Sequence, residues 1–233
     1  MPETAVAARV VWAAPGAVRA LGTVRFLNGT VPFRKCGVVE FATPAGAYLR
    51  LGDDFVHLAG ARASRGPLTL VVAGLGERHP GEVVRIGELP RPAPVPPLGP
   101  LMPGWRAALN AALEVVPAPR LPLAALRAGD LERAVAELAG RGEGLTPAGD
   151  DVLAGYAGWR GEVLSPLAAG RSSPLGLAYL RCAERGELPE VVARVVAAIR
   201  AGDDEAARRR ARALSRWGAS SGAAMLWGVA SAT

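Results

Sequence analysis

Seven prolines fall between positions 90 and 103: Pro90, Pro92, Pro94, Pro96, Pro97, Pro100 and Pro103. Each ring fixes φ and removes a backbone donor, so the stretch can continue neither a sheet nor a helix and favours an extended path. It therefore divides the 233-residue chain into a part before about residue 89, a connector at 90–103 and a part from 104 onward. The hydrophobic pattern changes across it. Before it, apolar runs are short and β-branched; after it, they recur at helical spacing.

In the first part, seven segments read as strands: Val6 to Trp12, Ala17 to Phe26, Gly37 to Phe41, Tyr48 to Leu51, Phe55 to Leu58, Leu68 to Val72 and Val83 to Ile86. Pro15-Gly16, Asn28-Gly29, Pro44-Ala45-Gly46, Gly52-Asp53-Asp54 and Gly66-Pro67 separate them as turns. The expectation is a small antiparallel β-barrel or sandwich. His57 and His79 read as surface or edge-strand residues without a supporting catalytic motif.

The second part reads as all-helical. Segments start at Trp105, at Leu121 (with a break near Gly129 and a cap at Asp130), at Pro147, after Ser172-Ser173, at Pro189, at Asp203 or Asp204 and at Ser220 or Ser221. Together the halves make an α+β chain, with domains at 1–89 and 104–233.

Composition narrows the function. The net charge is +6, almost all of it arginine. The densest run, Arg208-Arg209-Arg210 with Arg212 and Arg216, follows Asp203, Asp204 and Glu205 on one predicted helix. That pattern describes a locally balanced, solvated face and argues against nucleic acid as a partner. No stretch of about twenty apolar residues suggests a membrane span, and no basic-then-apolar leader opens the chain, so the expectation is a cytoplasmic protein. Cys36 and Cys182 lack the pairing that zinc requires.

The chemistry concentrates in Gly142-Glu143-Gly144-Leu145-Thr146-Pro147-Ala148-Gly149-Asp150-Asp151. Thr146 suits an N-cap and Pro147 the first helical position, so the glycine-rich loop runs into a helix whose first turn carries both aspartates. A small anionic metabolite at such a terminus would meet free N–H groups. It would also meet two carboxylates. Either Mg²⁺ bridges Asp150 and Asp151 to a phosphate, or the aspartates hold a donor such as an amide. Arg141 and Arg160 lie near enough in sequence to supply positive charge.

This segment has a faint echo. Leu145 to Gly155 can be laid on Gly218 to Gly228, with a glycine at each helix start and hydroxyls in both cap regions. Gly155 and Gly158, with Gly222 and Gly228, would let two such helices approach closely, side by side.

Gly-Leu-Thr-Pro-x-Gly-Asp-Asp, here Gly144 to Asp151, resembles the signature of a bacterial family long catalogued as a domain of unknown function. The likeness extends to Ser173 through Glu190, where Leu177, Ala183, Gly186 and Glu187 fit, and to Gly218 through Gly228. One member of that family is a subunit of the oxamate carbamoyltransferase of anaerobic allantoin breakdown. The resemblance implies a carbamoyltransferase subunit that acts on an oxamate- or oxalurate-like carboxylate with carbamoyl phosphate or phosphate, beside partner subunits or as a homo-oligomer. It implies roles for Thr146, Asp150 and Asp151 in catalysis, and for Gly144, Gly149, Ser220, Ser221 and Gly222 in binding. The chain departs from the pattern at Ala148, Ala219 and Ala224, where serine, histidine and aspartate are expected. Two alternatives stand beside this reading: a non-catalytic metabolite-binding or regulatory subunit, and a Mg²⁺-dependent phosphotransferase or hydrolase.

Overall fold

The structure is a computed structural model and describes residues 6–22, 30–214, 217 and 220–233. The Asn28-Gly29 turn, Arg216, Gly218 and Ala219 lie outside the described residues. The chain forms two compact units, 1–95 and 96–233.

The first unit is a closed six-stranded barrel. Its strands are β1 (Val6–Ala13), β2 (Thr30–Thr43), β3 (Gly46–Leu51), β4 (Asp54–Ala59), β5 (Thr69–Ala73) and β6 (Val83–Pro90), closed in the order β1-β5-β4-β3-β2-β6. Closure leaves no edge to protect. The barrel is mixed rather than purely antiparallel, because β1 lies parallel to β6 and β4 parallel to β5. Inward-facing Val39, Leu49, Leu58, Leu70, Val84 and Ile86 fill it.

One predicted strand is a helix. Pro15 is not a turn residue but occupies the first position of α1 (Pro15–Leu21). Its apolar side chains are buried, and it packs on β4 and β5. The carbonyls of Ala20 and Leu21 accept from Lys35 Nζ at 3.3 and 3.1 Å, so the lone lysine satisfies the end of the helix. The rest of that predicted strand, 23–26, lies outside the described residues. His57, expected at a surface or an edge, is buried on β4. It stacks on Tyr48, its Nδ1 lies 3.4 Å from Thr69 Oγ1, and burial pulls its pKa down to about 4.

The second unit is helical: α2 (Trp105–Leu113), α3 (Ala124–Ala128), α4 (Leu131–Leu138), α5 (Ala148–Arg160), α6 (Ser165–Ala168), α7 (Pro174–Ala183), α8 (Glu190–Arg200), α9 (Asp204–Leu214) and α10 (Ser221–Ser231). Gly129 divides α3 from α4, and Asp130 caps α4 by accepting from Arg133 N. Gly161 ends α5 in the left-handed conformation, four residues short of the predicted end near Leu164. On α9, Arg209 pairs with Glu205 and Arg208 with Glu114, which follows α2, so the basic run is answered in part by its own helix and in part by a neighbour.

The unit is built around α5. Every residue from Gly149 to Gly158 is buried, and α10, α7 and α4 pack round it. The contact with α10 is backbone to backbone. A Cβ on Gly155 would stand 1.9 Å from the Met225 carbonyl oxygen, and one on Gly228 2.0 Å from that of Val152. Of the four glycines expected at this crossing, two make it. Gly158 instead faces Leu188, and Gly222 faces Leu214.

Candidate functional site

The crossing sets the starts of α5 and α10 side by side. Thr146 Oγ1 lies 3.2 Å from Ser221 Oγ, although 75 residues separate them in sequence. Thr146 does not cap α5. The helix begins one residue later, with Pro147 in the cap position, and this frees the threonine hydroxyl. It donates to Asp151 Oδ2 at 3.3 Å. Through Thr146, the Ser221 hydroxyl is linked to the Asp151 carboxylate.

Asp151 is 1% exposed. Burial is the main cause that raises its pKa, to about 7; the two hydroxyls oppose the rise and the charge of Asp150 adds to it. A carboxyl group poised near neutrality can take up or release a proton at physiological pH. Its hydroxyl partners, Thr146 and Ser221, are half-buried and so reach toward solvent.

Asp150 is employed differently. Its Oδ1 accepts from Gly140 N at 2.7 Å and from Ser172 Oγ at 2.8 Å. Its Oδ2 accepts from Ser173 N at 3.0 Å, with Ser173 Oγ at 3.3 Å. One carboxylate thus ties the end of α4 and the start of α7 to the first turn of α5. Gly176 leaves room for it, since a Cβ there would stand 2.2 Å from Asp150 Oδ2. Ser172 and Ser173 were legible in sequence only as a cap. Ser173 does cap α7, accepting from Gly176 N at 2.9 Å, but its partnership with Asp150 depends on the packing of α7 against α5.

The remaining predicted residues frame this pair. Gly149 sits where a Cβ would meet the Leu138 carbonyl oxygen at 1.9 Å, and its N–H donates to the Arg141 carbonyl at 2.8 Å. Gly144 is exposed, in the left-handed region. Gly222 is buried in the first turn of α10, after Ser220 in the cap position. The Arg141 side chain is exposed.

The oxygens of Asp150 already serve protein donors, and among the described residues no three of His, Cys, Asp and Glu gather as a metal-binding set.

Beside the hydroxyl–carboxylate cluster is an apolar cleft of about 150 Å³. Ala148 and Ala224 line it, two of the three positions at which the chain departs from the pattern it resembles. Pro117-Ala118-Pro119 forms one wall and Trp217 contributes to the lining. Nothing in the sequence pattern linked these residues to the loop.

No helix among the described residues is long and apolar enough to cross a membrane. Comparison with curated proteins and with solved structures found no match. Comparison with protein families did: residues 159–233, from the last turn of α5 through α10, match the family described as oxamate carbamoyltransferase subunit AllH.

Proposed function

We propose that the chain is a subunit of a carbamoyl-transferring enzyme acting on a small oxamate- or oxalurate-like carboxylate, with carbamoyl phosphate or phosphate as the other reactant. One observation carries the reading. The buried carboxyl of Asp151, in the first turn of α5, is linked through Thr146 to Ser221, which lies inside the segment that matches the carbamoyltransferase subunit family.

In the synthetic direction, the substrate's amide nitrogen attacks the carbamoyl carbon of carbamoyl phosphate. The bond from that carbon to the phosphate oxygen breaks, and phosphate leaves with the electron pair. The nitrogen gives up a proton. Asp151 receives it, with the half-buried Thr146 and Ser221 hydroxyls as the outer ends of the relay. The first turns of α5 and α10 favour the anionic groups that the reaction gathers. Asp150 holds the frame and touches no reactant. The chain works beside partner subunits, as the name of the matched family suggests.

A second reading has specific support. Alanine at 148 and 224 removes polar groups expected there from the resemblance, which favours a binding subunit whose partner performs the chemistry.

Thermal-shift titration with carbamoyl phosphate, phosphate and oxamate tests both readings. Ligand at a hundred times its dissociation constant adds about 2.7 kcal/mol of stability. The expected result is a shift in the natural chain that Mg²⁺ does not alter and that Asp151→Asn abolishes while its circular dichroism is kept. An undiminished shift in that variant removes Asp151 from the site. Binding without turnover, even with partner chains present, selects the second reading.

A further inference from the structure

We infer that the apolar cleft beside Asp151 selects a substrate whose amide end carries a compact hydrocarbon substituent, branched or ring-shaped. This rests on the reading above and names the class of substrate for the same site.

Three observations lead there. The first is position. Ala148 precedes Asp151 by three residues on α5, and Ala224 follows Ser221 by three on α10. Residues so spaced share a helix face, about 5–6 Å apart. The cleft therefore lies on the same faces as the hydroxyl–carboxylate cluster, one turn away on each helix.

The second is its lining. Pro117, Pro119, Ala148, Trp217, Ala223 and Ala224 are apolar, and Ser220 provides the one hydroxyl. These side chains offer a charged group only that hydroxyl in place of its water. The volume of about 150 Å³ is that of an apolar cavity able to take a benzene-sized group.

The third is rigidity. Trp227 Nε1 donates to the Pro117 carbonyl at 3.0 Å and pins the proline wall to α10. Proline rings restrict the wall further, and the Trp217 N–H donates to the Leu214 carbonyl at 2.9 Å. Such a cleft is formed before the ligand arrives, so little ordering is needed on binding. Small side chains on the first turns of both helices keep it open.

The test measures dissociation constants of the complete chain for oxamate, N-isobutyl-oxamate and N-phenyl-oxamate. One methylene lodged in an apolar pocket is worth roughly tenfold or more. The substituted oxamates are therefore expected to bind at least tenfold more tightly than oxamate. In Ala223→Leu, which fills the cleft from a half-buried position, that ratio should fall toward one. Ala118→Leu fills it from the exposed wall and gives the same reading should the first variant misfold. Equal affinity for all three compounds, or a ratio that survives both variants, overturns the inference and leaves the proposed function standing. Failure of all three compounds to bind overturns both.

Discussion

Two adjacent aspartates do unlike work because neighbouring residues on a helix point about a quarter-turn apart and do not share a face. Asp150 meets α4 and α7, whereas Asp151 meets Thr146 and α10. Asp150→Ala would leave the Gly140 and Ser173 N–H groups without their acceptor in the interior. The expected loss is roughly 3 kcal/mol or more in urea unfolding; a change under about 1 kcal/mol would show that water replaces the carboxylate at little cost. Asp151 gives a different signature. Its folded pKa of about 7 lies above the ordinary 3.8. Between those values the folded chain holds a proton that the unfolded chain has released, so stability falls as pH rises through this window. Each pH unit costs at most about 1.4 kcal/mol. Asp151→Asn should flatten this slope, and an unchanged slope would place the titration elsewhere. The loop as a helix start was legible in its glycines, Thr146 and Pro147. The division of labour between the carboxylates was not, because it depends on which helices pack against each side of α5.

At the scale of elements, the crossing of α5 and α10 makes the site. It brings Thr146 to Ser221 and holds the cleft between two first turns. Gly155 and Gly228 permit it, and the resemblance between their two segments was readable along the chain. Which glycine faced which neighbour was not. In an exposed helix, Gly→Ala stabilises by about 1 kcal/mol. At Gly155 the sign should reverse, since the new methyl meets a carbonyl oxygen of α10, and overpacking costs 1–3 kcal/mol. Gly155→Ala is therefore expected to lower the unfolding free energy by about 2 kcal/mol and to weaken ligand binding with it. A stabilised variant would mean that the helices are not in close contact. Helix α1 teaches a related lesson: Pro-Gly before an apolar run reads as a turn and strand, yet proline is equally at home in a first helical turn. The decision fell to the barrel wall that α1 covers and to Lys35, which satisfies its last carbonyls.

Across the whole molecule, the two units answer pH with opposite sign. His57 in the barrel has a folded pKa of about 4, below its ordinary 6.5. In that window the unfolded chain binds the proton more readily, so the barrel loses stability as pH falls. Asp151 makes the helical unit lose stability as pH rises. Hydrogen exchange followed separately over residues 6–95 and 96–233 should show the barrel opening more readily at pH 5 than at pH 7, and the helical unit opening more readily at pH 7 than at pH 5. Parallel behaviour of the two would refute whichever assignment has the opposite sign. The sequence by itself determined the change from strand to helix across the prolines, the six short strands common to pattern and structure, the break at Gly129 and the loop that leads into the helix turn of Asp150 and Asp151. These follow from φ restrictions, capping and side-chain periodicity, which act over a few residues. Only the tertiary structure decided that the barrel closes with two parallel pairs, that α1 is a helix, that Asp150 binds the frame while Asp151 is desolvated, and that an apolar cleft adjoins it. Each of those outcomes depends on burial and on partners distant in sequence, and neither is encoded by local pattern.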